Sequence, residues 1–162
     1  MSEHEAKIDW IRSPHPLESG TYSRSHKVEL NANQNIKISA SREYKGDPGI
    51  ADPEQLLVSA VASCHMLFFL ALAEARGFFV LRYSDNAVGY LEKGEDGRTL
   101  LARISLHPIA AFSGEKKPTE LEFRNLNEAA HKRCFIANSV KAAVSVAGAL
   151  EDADATECSS TT

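Results

Sequence analysis

The stretch DPEQLLVSAVASCHMLFFLALAEARG, residues 52–77, decides how the chain is read. Its middle, residues 56–73, holds no acid, lysine or arginine, a length and composition at which a membrane span has to be considered. Against a span, it contains Ser59, Ser63, Cys64 and His65, and neither an aromatic belt nor a basic cluster flanks it. A helix that is apolar all round is buried either in lipid or in protein. The many small residues suit a helix packed by protein on every side. Asp52 is a good N-cap, Pro53 suits the first helical position and Gln55 completes a capping-box-like pattern. Arg76 and Gly77 supply a cation and a stop at the other end. The spacing predicts a helix over about 52–76.

Outward from this helix the pattern changes. Upstream, KIDWIRS, YSRSHKVELN and NIKISAS alternate and end in Asn, Ser or Gly, as short strands do. Downstream, FVLRYSDNAVGYLEK and RTLLARISLHPIA read as two long strands joined by GEDG, a hairpin turn. PTELEFRNLNEAAHKR then shows helical spacing of Leu121, Leu126, Ala129 and Ala130. CFIANSVKAA reads as a second short helix opened by Cys134, and VSVAGAL as a last strand. Strands, an apolar helix, a hairpin, a helix and a strand do not form a regular βαβ alternation, so the class is α+β.

A chain of 162 residues, 43% hydrophobic and 25% charged, is most simply one domain with its own core. We place that domain at residues 1–150. The tail EDADATECSSTT, acidic and rich in small residues, is expected to be disordered, with Cys158 an incidental thiol in it. A net charge of −4 without a basic block gives no electrostatic support for a nucleic-acid or membrane partner. Three scattered cysteines are not a secreted disulfide scaffold. With no apolar signal-peptide core in MSEHEAKIDWIRSPHP, the expected location is cytoplasmic.

Cys64 lies twelve residues into its helix, beyond the reach of the helix dipole, which acts within the first turn. Burial would raise its pKa. A reactive Cys64 therefore needs a cation from elsewhere in the fold. Cys134, at an expected helix start, would meet backbone N–H groups that favour an anion. Taken alone, both cysteines read as small core residues.

Together the motifs carry a resemblance. DPEQL with Cys64 ten residues after Glu54 resembles the central helix of the OsmC/Ohr family, the osmotically inducible and organic hydroperoxide resistance proteins. AHKRCFIANSV, with Cys134 seventy residues after Cys64, resembles the family's second cysteine segment, and YSRSHKVE a strand motif of one branch. The matches run in order from about residue 21 to 148. The resemblance implies antiparallel sheets wrapped around a buried central helix, in an intertwined homodimer. It implies a thiol-dependent peroxidase that reduces organic hydroperoxides. Cys64 would be the attacking thiolate and Cys134 the resolving thiol, re-reduced by an external dithiol, for which a lipoyl-type dithiol is a candidate, with no cofactor and no metal.

In the family an arginine held by a glutamate completes the site. Glu54 matches the glutamate. Arg24 in YSRSH matches the arginine of the Ohr-like branches and is preferred, while Arg42 lies where OsmC-like branches place theirs. His26, two residues after Arg24 on a strand, would face the same side. Ten residues of helix put Glu54 about 15 Å from Cys64, too far for one cluster on one helix. Either the helix starts late, or Glu54 and the arginine come from a second subunit, which suits the family dimer.

Many family members have proline directly after the second cysteine, where this chain has Phe135. Phe135 and Phe68 are expected to line an apolar substrate pocket; aromatics on a helix are more often plain core. Cys64, His65, His131 and Cys134 are residue types that bind zinc, but neighbours on a helix point about 100° apart. His65 is better read as a hydrogen-bonded core histidine, and His131 as an exposed one. A second function class stays open: a non-enzymatic ligand-binding or redox-sensing dimer of the same fold.

Overall fold

The computed structural model describes residues 2–31 and 33–151. The chain forms two compact units, residues 1–56 and residues 57–162. The tail beyond residue 151, with Cys158, lies outside the described residues.

The first unit is a three-stranded antiparallel sheet in the order β1 (Lys7–Asp9), β2 (His26–Asn31), β3 (Gln34–Ile38). Val28 pairs with Ile36 and His26 with Ile38 across β2 and β3. Val28 and Ile38 are its buried apolar residues. After a single 3-10 turn at Arg42–Tyr44, the chain returns to the sheet, where the Ser39 N–H donates to the Ala51 carbonyl at 2.9 Å. Gly46 makes this loop possible: a Cβ there would lie 1.5 Å from the Ala40 carbonyl oxygen, so no other residue fits without moving backbone.

The long helix α1 spans Pro53–Ala75, as the end signals predict. Its N-terminus is a true capping box. The Gln55 N–H donates to Asp52 Oδ1 at 2.8 Å, and the Asp52 N–H donates to Gln55 Oε1 at 3.1 Å. At the other end Gly77 takes φ +74°. The N–H of Phe78 donates to Ala73 O and that of Gly77 to Glu74 O, the two bonds of a Schellman stop.

Seven further elements complete the second unit: β4 (Phe79–Asp85), β5 (Val88–Lys93), β6 (Thr99–Leu106), β7 (Pro108–Ser113), α2 (Glu120–Arg133), β8 (Ala143–Val146) and β9 (Ala149–Glu151). They form two sheets, β4-β7-β9 and β5-β6-β8. The fold is α+β, but its sheets are mixed rather than antiparallel throughout. β8 joins β6, and β9 joins β7, in parallel. GEDG does turn the β5–β6 hairpin, with the Gly94 N–H donating to Arg98 O at 2.9 Å.

Each of the two long strands expected around that turn is broken in two. The breaks face each other and are tied by side chains: the His107 N–H donates to Asp85 Oδ1 at 2.7 Å, and His107 Nδ1 bonds the Asn86 carbonyl at 3.0 Å. One long hairpin thereby becomes two short sheets. The expected last strand is likewise two strands, β8 and β9, and Glu151 belongs to β9, where its carboxylate binds Arg82.

The sheets give α1 two cores. Phe69 and Ala73 pack with Phe78, Ala110, Phe112, Phe123, Leu126 and Ala130. Val61 packs with Ile104, Leu106 and Ala142. By length and composition α1 is apolar enough to cross a membrane; here its stripe lies in protein. That stripe is one residue wide, Val61, His65, Phe69 and Ala73, at the four-residue spacing of one helix face. Packing on every side is not observed, because Leu67 remains 62% exposed.

Helix α2 opens with a capping box between Thr119 and Glu122. It buries Phe123, Leu126, Asn127 and Ala130, so Leu121, expected on the inner face, points outward instead. The short helix expected from Cys134 does not form. Cys134 is the C-cap of α2, and residues 135–139 make turns, with the Asn138 N–H donating to Cys134 O and the Val140 N–H to Ile136 O.

Candidate redox site

Two free thiols meet in the second unit. Cys64 sits mid-helix on α1 beside the buried stripe and is half-buried, whereas Cys134 is wholly buried. The Cys134 thiol reaches the carbonyl of Val61, one turn before Cys64 on α1, at 3.8 Å. The Ala137 N–H donates to Cys134 Sγ at 3.3 Å. The Cys64 side chain is the neighbouring group that adds to the rise of the Cys134 pKa. The turn after α2 thus holds the second sulfur against the helix face that carries the first.

The electrostatics of Cys134 are the reverse of the expectation for a helix start. Burial pushes its thiol up, to about 11, and the neighbouring Cys64 adds to that rise. The N–H groups of Ala137 and Ile136 pull the other way, and they are outweighed. Desolvation of a thiolate under α1 is larger than what two turn amides return. Cys134 is a protonated, sheltered thiol.

His65 is the core histidine its sequence setting suggests. It is fully buried, with Nδ1 bonded to Tyr83 Oη at 3.2 Å and Nε2 to the Asn127 carbonyl at 3.3 Å. A carbonyl only accepts, so Nε2 carries the proton and Nδ1 accepts from the tyrosine. Burial pushes the His65 pKa down; the Asn127 bond opposes this and nearby His131 adds to it. Tyr83 is driven upward by burial and then by Asp85. With both ring nitrogens engaged, His65 is a poor metal ligand, and among the described residues no group of three or more His, Cys, Asp or Glu could hold an ion. His131 is half-buried rather than exposed, and its Nδ1 has no partner among the described residues.

Phe68 lies one turn after Cys64, and Phe135 directly follows Cys134. Their rings meet edge to face, with centroids 5.0 Å apart and planes at 86°.

The remaining candidate residues belong to the first unit. The Arg24 guanidinium donates to the Tyr22 carbonyl at 2.8 Å and lies 4.7 Å over the Tyr22 ring. His26, at the start of β2, bonds the Arg24 carbonyl through Nδ1 at 2.9 Å. Arg42 is exposed on the 3-10 turn and lines a cleft with Asp47, Asp52 and Gln55. Glu54 stands in the first turn of α1. Among the described residues neither Arg24 nor Arg42 forms an ion pair with Glu54. Because α1 is unbroken from Pro53, a late helix start is removed as a way to bring Glu54 to Cys64.

Tyr83, Asn127, Val61 O and the Ala137 N–H were not legible as partners. Val61 and Ala137 shape Cys134 through backbone atoms, which sequence does not tag. His65 meets its partners 18 and 62 residues away.

A mixed α+β fold holding two adjacent free thiols, one on a central apolar helix and one at the end of a second helix, defines the class. The OsmC-like protein family matches residues 46–147, which includes both cysteines. The chain belongs to this family. It is similar to an OsmC-like protein of unknown function from Vibrio cholerae, with 38% identity and a TM-score of 0.85, covering 92% of this chain and 100% of that one. The fold is also that of an organic hydroperoxide resistance protein from Elizabethkingia anophelis, at 16% identity and TM-score 0.68, covering 94% and 97%. OhrB of Bacillus subtilis shares it at 16% identity and TM-score 0.60, covering 93% and 98%. No curated protein matches the sequence.

Proposed function

We propose that the protein is a cysteine-based peroxidase for organic hydroperoxides. The observation that carries this reading is the pairing of a half-buried Cys64 with a neighbouring, buried Cys134 thiol. In the first step the Cys64 thiolate attacks one oxygen of ROOH. The S–O bond forms, the O–O bond breaks, and the departing alkoxide takes a proton to give ROH, leaving Cys64 as a sulfenic acid. In the second step the sulfur of Cys134 attacks that of Cys64. The S–S bond forms, hydroxide leaves, and the proton from Cys134 completes a water molecule. An external dithiol then reduces the disulfide and is itself oxidised to a disulfide.

A cation beside a reactive cysteine favours the thiolate that attacks the peroxide. We assign this to an arginine held by Glu54, Arg24 before Arg42, supplied by the second subunit of a homodimer. The exposed apolar face of α1 around Leu67 supports a dimer, since a helix this apolar is stable in water only when that face is covered. Dihydrolipoamide is a suitable dithiol for the assay. Turnover of cumene hydroperoxide with it, abolished by Cys64→Ser and reduced by Cys134→Ser, is the expected result; turnover surviving Cys64→Ser would refute the assignment. A redox-sensing role is the second reading, in which the buried Cys134 thiol records oxidation of Cys64 too slowly for rapid cycling. It predicts disulfide formation without sustained turnover.

A further inference from the structure

We propose that a cavity between α2 and the β8–β9 turn binds a small organic cation with a primary ammonium group, a short aliphatic diamine fitting it best. Neither cysteine lines this cavity, and binding there needs no thiol chemistry.

The cavity measures about 360 Å³, at the lower end of the range for small-molecule sites. Helix α2 lines it with two stripes. Phe123, Asn127 and His131 recur every fourth residue and form the inner one; Glu120, Arg124 and Glu128 recur likewise and form the exposed outer one. Val146 and Gly148 supply the other wall. A Cβ on Gly148 would lie 3.1 Å from the Phe123 ring, so only a glycine lets this wall come so close to α2.

The inner stripe holds two unused acceptors. Asn127 is only 6% exposed. Its side-chain amide donates to the Phe123 carbonyl at 3.1 Å, and its backbone carbonyl is bonded to His65 Nε2. A carbonyl only accepts, so the amide nitrogen faces Phe123 and Oδ1 is the unspent end. Oδ1 and His131 Nδ1 are both buried and have no partner among the described residues. With its hydrogen on Nε2, neutral His131 also accepts at Nδ1. An unpaired buried acceptor destabilises a fold. Two of them lining one cavity point to a ligand that donates.

An alkylammonium group is such a donor, with several N–H groups and no acceptor. Around the cavity two carboxylates, Glu120 and Glu128, stand against one guanidinium, Arg124, an excess of negative charge that draws cations. Phe123 and Val146 offer apolar sides to a short methylene chain. A bare metal ion does not fit, because among the described residues no three His, Cys, Asp or Glu come together to hold one. A diamine places one ammonium at Asn127 and His131 and the other at the two glutamates.

The test is an NMR titration of the reduced full-length protein with 1,4-diaminobutane, n-butylamine and n-butanol, read at the Asn127 side-chain amide and the His131 ring. Saturable shifts at both positions are expected with the two amines, and none with butanol. The diamine should bind about tenfold tighter than butylamine. Glu120→Gln combined with Glu128→Gln should remove that advantage and leave butylamine binding in place; both residues are exposed, so this variant should fold. Asn127→Leu replaces an unpaired acceptor with an apolar group of similar shape, so it should keep its melting temperature and, read at His131, bind neither amine. No saturable shift with either amine, butanol binding as tightly as butylamine, or amine binding that survives Asn127→Leu overturns the proposal. So does a diamine that keeps its full advantage without the two glutamates, a result that stands whether or not Asn127→Leu folds.

Discussion

Disulfide formation should be the slow chemical step of the cycle at neutral pH, and it should accelerate log-linearly as the pH rises. Only the thiolate attacks. An ordinary cysteine is a few per cent ionised at pH 7. With its thiol pushed up to about 11, Cys134 is ionised in about one molecule in 10,000 at that pH, a deficit of about 300-fold against a pKa near 8.5. A more basic thiolate is a better nucleophile, with a Brønsted slope of about 0.4–0.5, which returns about tenfold. The net penalty is about 30-fold. It is an upper limit: once Cys64 carries oxygen, its own contribution to the shift is gone, while burial, the largest cause, stays. The assay mixes reduced protein with one equivalent of cumene hydroperoxide and follows sulfenic acid loss by quenched flow. The rate of this step should climb close to tenfold per pH unit from about 7 to beyond 9. A rate that is flat over that range, or that levels off near pH 8, would refute the reasoning, because Cys134 would then not be a sheltered thiol.

Other outcomes follow from the same geometry. In Cys64→Ser the contribution of Cys64 to Cys134 is lost, so Cys134, followed by thiolate absorbance, should titrate at lower pH than in the wild type. His65→Leu should cost about 1–3 kcal/mol by leaving the Tyr83 hydroxyl without its acceptor, as read by urea denaturation. His65→Gln, which can donate and accept in the same places, should recover most of it. The lowered His65 pKa means that below about 6.5 the unfolded chain binds a proton the folded one resists. Stability should therefore be fully present above that pH and fall as acid is added, a fall that His65→Gln should blunt. Phe69→Ala, at a fully buried position in contact with the rings of Tyr83, Phe112 and Phe123, should cost about 3–5 kcal/mol.

Local signals were readable and long-range ones were not. The caps of α1 and α2 are written in adjacent residues, DPEQ and TELE, and both form as capping boxes. The split of the long hairpin was hidden because its cause is a pair of bonds between Asp85, Asn86 and His107, more than twenty residues apart along the chain. Parallel pairing of β8 and β9 was equally invisible, since a four-residue strand carries no mark of its direction. The two thiols were legible as candidates only through the family resemblance that their surrounding motifs carry. The environment of Cys134 was not, because it depends on whether a helix or a turn follows: CFIANSV has helical spacing, yet Cys134 takes ψ 110° and ends α2.

The most direct measurement is the intact mass and peptide map of the reduced protein after one equivalent of cumene hydroperoxide. The account predicts that the wild-type chain loses two hydrogens and yields a Cys64–Cys134 cross-linked peptide, and that Cys134→Ser instead gains one oxygen at Cys64. An unmodified Cys64, or oxidation confined to Cys158, would contradict it.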